Sequence, residues 1–130
     1  KNFGRIINIT SAMVKNPHLI MGLSTSARSG LHGLSKALSR EVAQYNITIN
    51  NVLPERIDTD RQTQILNFQA KLADSTYEEA KKELEETLTA KRMGTVEEFS
   101  GICTFLCSEQ AAYISGQNIS VDGGNSTNLI

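Results

Sequence analysis

Two histidines are the residues of this sequence whose side chains exchange a proton near neutral pH, so they are the first candidates for acid–base chemistry. His18 follows Pro17 in a segment without a clear hydrophobic period. Its imidazole could act as a general acid, with simple solvation as the favoured alternative. His32 lies within a helical pattern but off the apolar stripe of that helix, which makes it a weaker candidate than His18.

The two thiols, Cys103 and Cys107, are four residues apart in an apolar helical pattern. This spacing puts both on one face of a helix, but the sequence offers no further Cys and no nearby His to complete a metal shell. A disulfide framework would need more cysteines and an oxidising compartment. We therefore expect core packing for both thiols and no metal site.

The bulk composition limits the partners of these residues. A net charge of −1 and a pI near 6.1 give no long-range field that would gather nucleic acid or anionic lipid. No stretch reaches the roughly 18 apolar residues of a membrane span, and the opening "KNFGRIINIT" lacks the order of a signal peptide. We expect one domain in the cytoplasm, without nucleic-acid or membrane partners.

The hydrophobic pattern predicts a strand–helix–strand unit at the start of the chain. Residues 5–9, "RIINI", are typical of a buried parallel strand, in which polar Asn8 is discordant. A helix is predicted from Thr25 to about Gln44, and a strand from Ile47 to Val52, stopped by Pro54. The helix carries one apolar stripe and one line of small residues, so we expect it to pack on both sides. The stripe consists of Ala27, Leu31, Leu34, Leu38 and Val42, and the small residues are Gly30, Gly33 and Ala37.

Capping residues predict three further helices before a last strand. Thr59 or Asp60 would cap a helix that runs to about Ala73. Ser75 with Glu78 predicts a capping box for a charged helix over residues 76–91, and Thr95 with Glu98 predicts another. The last of these helices would bury Phe99, Ile102, Cys103 and Leu106, and a final strand marked by Ile114, Ile119 and Val121 would end in the turn at 122–124.

Five segments, in this order, resemble the C-terminal half of the short-chain dehydrogenase/reductase family: "GRIINITS", "SGLHGLSKALSREVA", "ITINNVLPERIDT", "RMGTVEEFSG" and "AYISGQNISVDGG". The resemblance covers residues 1–130 and is closest to the β-ketoacyl-carrier-protein-reductase-like members. It implies a three-layer α/β Rossmann-like fold, a doubly wound parallel sheet, of which this chain would hold about three strands and four helices. The family's dinucleotide-binding half with its Gly-rich loop has no counterpart here, so we expect the chain alone not to hold NAD or NADP in the usual way.

The resemblance also implies a catalytic site. In the family a Ser polarises the carbonyl, a Tyr exchanges the proton, and a Lys follows four residues after that Tyr. Aligned on "GLHGLSKAL", the Tyr position is Ser24, the Lys position is Arg28, and the Ser position is Ser11.

The two replacements change the chemistry. An aliphatic hydroxyl is far less acidic than a phenol with a pKa of about 10, and Ser24 would need a water to bridge to the same carbonyl. Arg28 keeps the positive charge but stays protonated and cannot relay a proton. Two structural alternatives stay open: Ser24 as a helix N-terminal capping hydroxyl, and Arg28 as an exposed helix charge.

The segment "PERIDT" takes the place of the family motif that grips the nicotinamide carboxamide, and Pro54, Ile57 and Thr59 match that motif. Glu55 stands where the family has Gly. If that Gly needs a positive φ or a close approach, Glu55 would hinder it, and its charge would oppose the cofactor's phosphates.

Two functions stay open at this point. The first is an NAD(P)-dependent oxidoreductase acting on a small carbonyl or ketoacyl substrate, complete only with upstream sequence. The second is a non-catalytic member in which the helix with Gly30, Gly33 and Ala37 serves assembly. In both cases we expect a homo-oligomer or association with the missing half, because half of a doubly wound sheet leaves a strand edge and an apolar face uncovered.

Overall fold

The computed structural model describes residues 2–129 and contains one three-stranded parallel sheet in the order β1-β2-β3. The strands are β1 (Gly4–Ile9), β2 (Ile47–Pro54) and β3 (Asn118–Val121). The helices are α1 (Gly22–Val42), α2 (Asp60–Leu72), α3 (Tyr77–Thr87) and α4 (Val96–Cys107). The α/β, Rossmann-like fold with three strands and four helices is confirmed. The ends of the predicted 1–130 unit, Lys1 and Ile130, lie outside the described residues.

The two faces of the sheet differ in chemistry. On one face Val52 is fully buried against Leu106 of α4, and Ile7 and Ile119 pack around them. The apolar stripe predicted for α4 is confirmed, since Phe99, Ile102 and Cys103 join this core, whereas Cys107 is exposed and does not pack as predicted.

The other face of the sheet carries a row of asparagines across its three strands and is covered by α1. Asn8, Asn51 and Asn118 stand in register across the three strands, so their side chains share this face. Asn8 Nδ2 donates to Asn51 Oδ1 at 3.0 Å, and Asn51 Nδ2 donates to Asn118 Oδ1 at 2.7 Å. Asn8 Nδ2 also donates to Ser35 Oγ of α1 at 2.9 Å. The residue that was discordant in the first strand therefore anchors the helix.

Helix α1 turns a polar side, not its leucines, toward the sheet. Its buried residues are His32, Ser35 and Ser39, whereas Leu34 is 63% exposed. Within residues 2–129 the leucine stripe stays largely exposed, so the expectation that this helix packs on both sides stays a prediction. Buried asparagines need hydrogen-bond partners, so the polar sheet face selects the polar helix face.

The two crossovers have opposite handedness. The connection from β1 to β2 and the connection from β2 to β3 step in the same direction across the sheet. The first passes through α1 on the Asn8 face, and the second passes through α4 on the Ile7 face. Between β2 and α4, helices α2 and α3 form a second small core around Leu66, Leu88 and Met93.

Helix boundaries follow the capping hydroxyls. Thr59 caps α2 by accepting from Gln62 N, as predicted, and the capping box of Thr95 with Glu98 at α4 is confirmed. The box of the charged helix is formed by Thr76 with Glu79, so the predicted pair Ser75 and Glu78 is wrong by one residue. The Ser75 hydroxyl instead donates to Ala70 O, which ties it to the preceding helix.

Other boundaries also differ from the sequence-based expectation. Strand β2 runs through Pro54 rather than ending at Val52, and α1 ends at Val42 rather than near Gln44. The charged helix ends at Thr87 rather than near Lys91, and β3 begins at Asn118, so Ile114 lies in the turn before it. Helix α1 begins at Gly22, three residues earlier than predicted, after two 3₁₀ turns at Ala12–Val14 and Leu19–Met21. Among residues 2–129, no helix has the length and apolar character required to cross a membrane.

Candidate active site

Ser11 lies two residues beyond the end of β1, at the carboxyl end of the sheet. Its hydroxyl accepts a hydrogen bond from Met13 N at 3.2 Å and caps the 3₁₀ turn Ala12–Val14. The backbone of this turn is closed by Val14 N donating to Ser11 O at 3.2 Å. Because Ser11 Oγ accepts from the backbone, its own O–H is left to donate to a substrate oxygen.

Ser24 and Arg28 are held together on one side of α1. The Arg28 guanidinium donates to Ser24 Oγ and to Ser24 O, the latter at 3.3 Å. Ser24 is the third residue of the helix, whose N-cap position is Met21, so the capping alternative for Ser24 is wrong. Arg28 is half-buried and bonded, which does not fit an exposed helix charge.

The contacts between α1 and β1 fix where this pair lies. Asn8 meets Ser35 and, two residues further along the strand, Thr10 meets His32, so the helix runs antiparallel to β1. Arg28 is one helical turn beyond His32 and therefore lies past the end of β1, on the side where the chain continues as Ser11. The fold thus brings the three predicted catalytic residues to one end of the sheet.

His32 is the polar residue of this region that sequence reasoning undervalued. It is only 7% exposed, and its Nε2 lies 2.8 Å from Thr10 Oγ1. Burial lowers the pKa of the His32 imidazole, and the nearby Lys15 ammonium lowers it further. The signal was present in the sequence, because Asn8 and Thr10 are two residues apart, which puts them on one side of an extended segment, and His32 and Ser35 repeat at helical spacing. His18, the preferred candidate, is exposed and does not cap the turn that follows it.

Pro54, Ile57 and Thr59 are brought together as predicted for a binding surface. With Ile9 and Phe99 they line a mainly apolar cavity of about 320 Å³ at the carboxyl ends of β1 and β2. Thr59 Oγ1 accepts from Gln62 N at 3.4 Å, so its O–H is left to donate. An apolar surface with one hydroxyl beside it suits a nicotinamide ring and its carboxamide.

The obstacle expected from Glu55 does not arise in the backbone. Glu55 N donates to Val121 O at 3.1 Å, which fixes its backbone beside the end of β3, and the positive φ of 53° falls on Arg56 instead. The Glu55 carboxylate accepts from Asn125 Nδ2 at 3.0 Å and is thereby directed to the C-terminal segment.

The structure offers no cradle for a pyrophosphate within residues 2–129. The described glycines with positive φ are Gly116, Gly123 and Gly124, which flank β3, and none of them begins a helix. A Gly-rich turn at a helix N-terminus is what binds the diphosphate in Rossmann folds. The residues present therefore fit the nicotinamide end of NAD(P) but not its phosphates.

Comparison with known proteins decides the family. Residues 1–126 match the family described as enoyl-(acyl carrier protein) reductase. The chain belongs to the short-chain dehydrogenase/reductase family. It is 37% identical over 123 residues to the NADPH-dependent reductase BacG of Bacillus subtilis, covering 95% of this chain and 48% of that protein. It is 35% identical over 124 residues to the 3-oxoacyl-[acyl-carrier-protein] reductase FabG of Aquifex aeolicus, covering 95% of this chain and 46% of FabG.

Solved structures of short-chain dehydrogenases/reductases superpose closely on this chain. The NADPH-dependent reductase YwfH, involved in bacilysin biosynthesis, gives a TM-score of 0.90 at 36% identity over 98% of this chain and 49% of its own. The L-sorbose reductase of Gluconobacter frateurii gives a TM-score of 0.91 at 28% identity, over the same shares of the two chains. The chain spans about half the length of the relatives it matches. Relatives described as NADPH-dependent thus agree with the nicotinamide cofactor that the resemblance implied.

Proposed function

We propose that this chain is the substrate-side, C-terminal half of an NAD(P)-dependent oxidoreductase that reduces a small carbonyl or ketoacyl compound. The observation that carries the proposal is the bonded pair of Ser24 and Arg28, held past the end of β1 beside the segment that bears Ser11. The cavity lined by Pro54, Ile57 and Thr59 opens at the same end of the sheet.

Each of these groups has a defined task in the proposed reaction. NAD(P)H, when bound, supplies the hydride that adds to the carbonyl carbon. Ser11 donates a hydrogen bond to the carbonyl oxygen, where negative charge develops, and Ser24 donates to a water that bridges to the same oxygen. Arg28 donates to Ser24 Oγ, which makes the Ser24 O–H a stronger donor and keeps a positive charge close to the developing alkoxide.

The proton must come from water in this arrangement. A guanidinium is not a proton donor for such a step, and an aliphatic hydroxyl is not an acid of useful strength. A water bound between Ser24 and the substrate oxygen supplies the proton that completes the alcohol, and the resulting hydroxide is neutralised by solvent. We therefore expect slow turnover compared with a reductase that carries Tyr and Lys.

Restoring the family pair tests this proposal. In a full-length protein that includes the upstream half, Ser24→Tyr with Arg28→Lys should raise the turnover of a ketoacyl thioester by about 100-fold or more, because a positioned general acid contributes about 10²- to 10⁴-fold. The measurement is the oxidation of NADPH or NADH, with nucleotide affinity determined separately by calorimetry. A matched control is Ser26→Tyr with Arg40→Lys, which makes the same changes at exposed positions of α1. Equal rates for the restored pair and the control would show that this pocket serves another purpose.

A second candidate function is self-association, and the exposed side of α1 favours it. Leu31, Leu34 and Leu38 are 38%, 63% and 43% exposed, and a Cβ added at Gly30 or Gly33 would meet nothing within 4 Å. We propose that a second copy of α1 packs against this stripe, because small residues beside leucines allow two helices to approach closely. A twofold pair would bury the same stripe from both copies.

A further inference from the structure

The contact between Thr10 and His32 joins the two elements that bear the proposed catalytic residues. Thr10 follows Ile9, the last residue of β1, and directly precedes Ser11, and His32 lies one turn from Arg28 on α1. Both side chains are 7% exposed, and Thr10 Oγ1 lies 2.8 Å from His32 Nε2. Thr10 N also donates to Val52 O at 2.9 Å, so the backbone of this residue is fixed to the neighbouring strand.

The surroundings of the imidazole determine which nitrogen bears the proton. His32 Nδ1 is buried and has no hydrogen-bond partner among the described residues. Burying an N–H without an acceptor costs more free energy than burying a nitrogen lone pair without a donor, because the N–H loses a strong hydrogen bond to water. The neutral tautomer with the proton on Nε2 is therefore favoured, and this N–H donates to Thr10 Oγ1.

We propose that His32 is a positioning residue, which through its bond to Thr10 sets Ser11 at the correct distance from Ser24 and Arg28. The inference rests on the proposed oxidoreductase function and adds to it a residue that touches neither substrate nor cofactor. The other side-chain bond between α1 and β1, Ser35 with Asn8, lies one turn further from the pair. His32 is thus the nearer of these two constraints to the reacting groups.

The charges around His32 make this constraint sensitive to pH. Burial lowers the pKa of the imidazole, and Lys15, in the segment that follows Ser11, lowers it further. The residues one turn away on α1 are Arg28 and Lys36, both cationic, and the strand residues on this sheet face, Asn8, Thr10, Asn51 and Leu53, do not titrate. Protonation would place an N–H on Nδ1 without an acceptor and a cation among cations. The imidazole would then leave Thr10 for solvent.

The experiment compares variants of the full-length protein in its reductase reaction. His32→Leu should lower kcat by about 10- to 100-fold, since a misplacement of about 1 Å costs on the order of 100-fold, while KM changes less than about 3-fold. His32→Gln should restore kcat to within about 3-fold, because the amide Nε2 can donate to Thr10 as the imidazole does. The kcat of the parent should fall as the pH decreases through the range where His32 protonates, and this acid limb should be absent in His32→Gln. Ser35→Ala, the matched control at the same interface, should leave kcat within about 2-fold.

Each result decides the question. A folded His32→Leu with the kcat of the parent, or a His32→Gln that keeps the acid limb, overturns the positioning role alone. If His32→Leu does not fold, Thr10→Val removes the same bond from the strand side and should show the same loss of kcat; full activity in Thr10→Val overturns the inference. A parent protein without any nucleotide-dependent activity refutes the proposed function, and the inference with it.

Discussion

Replacing Leu34 by glutamate should dissociate the proposed pair of α1 helices. Leu34 is the most exposed of the three leucines of the α1 stripe, with 63% of its surface accessible to solvent. Leu31 and Leu38, on either side of it, are 38% and 43% exposed. Together their exposed surface amounts to about one and a half leucine side chains, worth about 2–4 kcal/mol per copy on burial. This is a useful fraction of the roughly 8 kcal/mol that corresponds to a micromolar dimer, although association also costs translational and rotational freedom.

The substitution acts twice in a twofold pair. Losing the apolar burial of Leu34 costs about 1–2 kcal/mol per copy, or about 2–4 kcal/mol per dimer. This corresponds to a dissociation constant raised by about 30- to 1,000-fold, before the cost of burying two facing carboxylates is added. Sedimentation of the full-length protein across a dilution series measures the shift. Leu72→Glu, at a position on α2 that is 72% exposed and off the stripe, is the matched control.

The refuting results are specific. A parent that is monomeric at concentrations of tens of micromolar would show that the stripe does not pair with itself. Unchanged association of Leu34→Glu would show that a different surface joins the copies. Dissociation by Leu72→Glu as well would indicate a general effect of added charge.

Two further predictions concern stability. Hydrogen bonds from Arg92 and from Thr95 N lower the pKa of Glu98 from 4.5 to about 2, so the stabilisation of the folded state by the Glu98 carboxylate is complete above about pH 4.5 and is lost as the pH falls toward 2. The melting temperature should therefore drop less steeply over this range in Glu98→Gln than in the parent. Parallel curves would contradict the ion pair between Arg92 and Glu98 seen at 2.6 Å. Leu106→Ala removes a fully buried side chain that packs on Val52 and should lower the free energy of unfolding by about 2–5 kcal/mol in urea titrations. An effect below about 0.5 kcal/mol, the size expected for the exposed Leu72→Ala, would contradict the core assigned here.

Local signals in the sequence predicted most of the elements. The capping box of Thr95 with Glu98 fixed the start of α4, because a cap is made within four residues of the chain. The same pattern predicted the capping box of α3 one residue too early. The sequence offers two overlapping pairs, Ser75 with Glu78 and Thr76 with Glu79, and the structure uses the second. The choice between them was made by the bond of Ser75 to Ala70, a contact that the local pattern does not contain.

The site was only partly predictable. The family motif placed Ser11, Ser24 and Arg28 in sequence, and Pro54, Ile57 and Thr59 line one cavity as the motif implied. It did not predict that Arg28 folds back onto Ser24, nor that Arg56 rather than Glu55 takes the positive φ. Both depend on where neighbouring elements leave room and hydrogen-bond partners.

The sequence by itself determined the elements, their order and the family, because periodicity, caps and motifs are written in residues close together along the chain. Only the tertiary structure decided which side of α1 faces inward. The leucine stripe suggested burial, but the asparagines of three strands meet in register and require polar partners, so His32 and Ser35 are buried and the leucines remain exposed. Burial is a property of the surfaces that come together, and the sequence of one helix does not contain the surface of its neighbour.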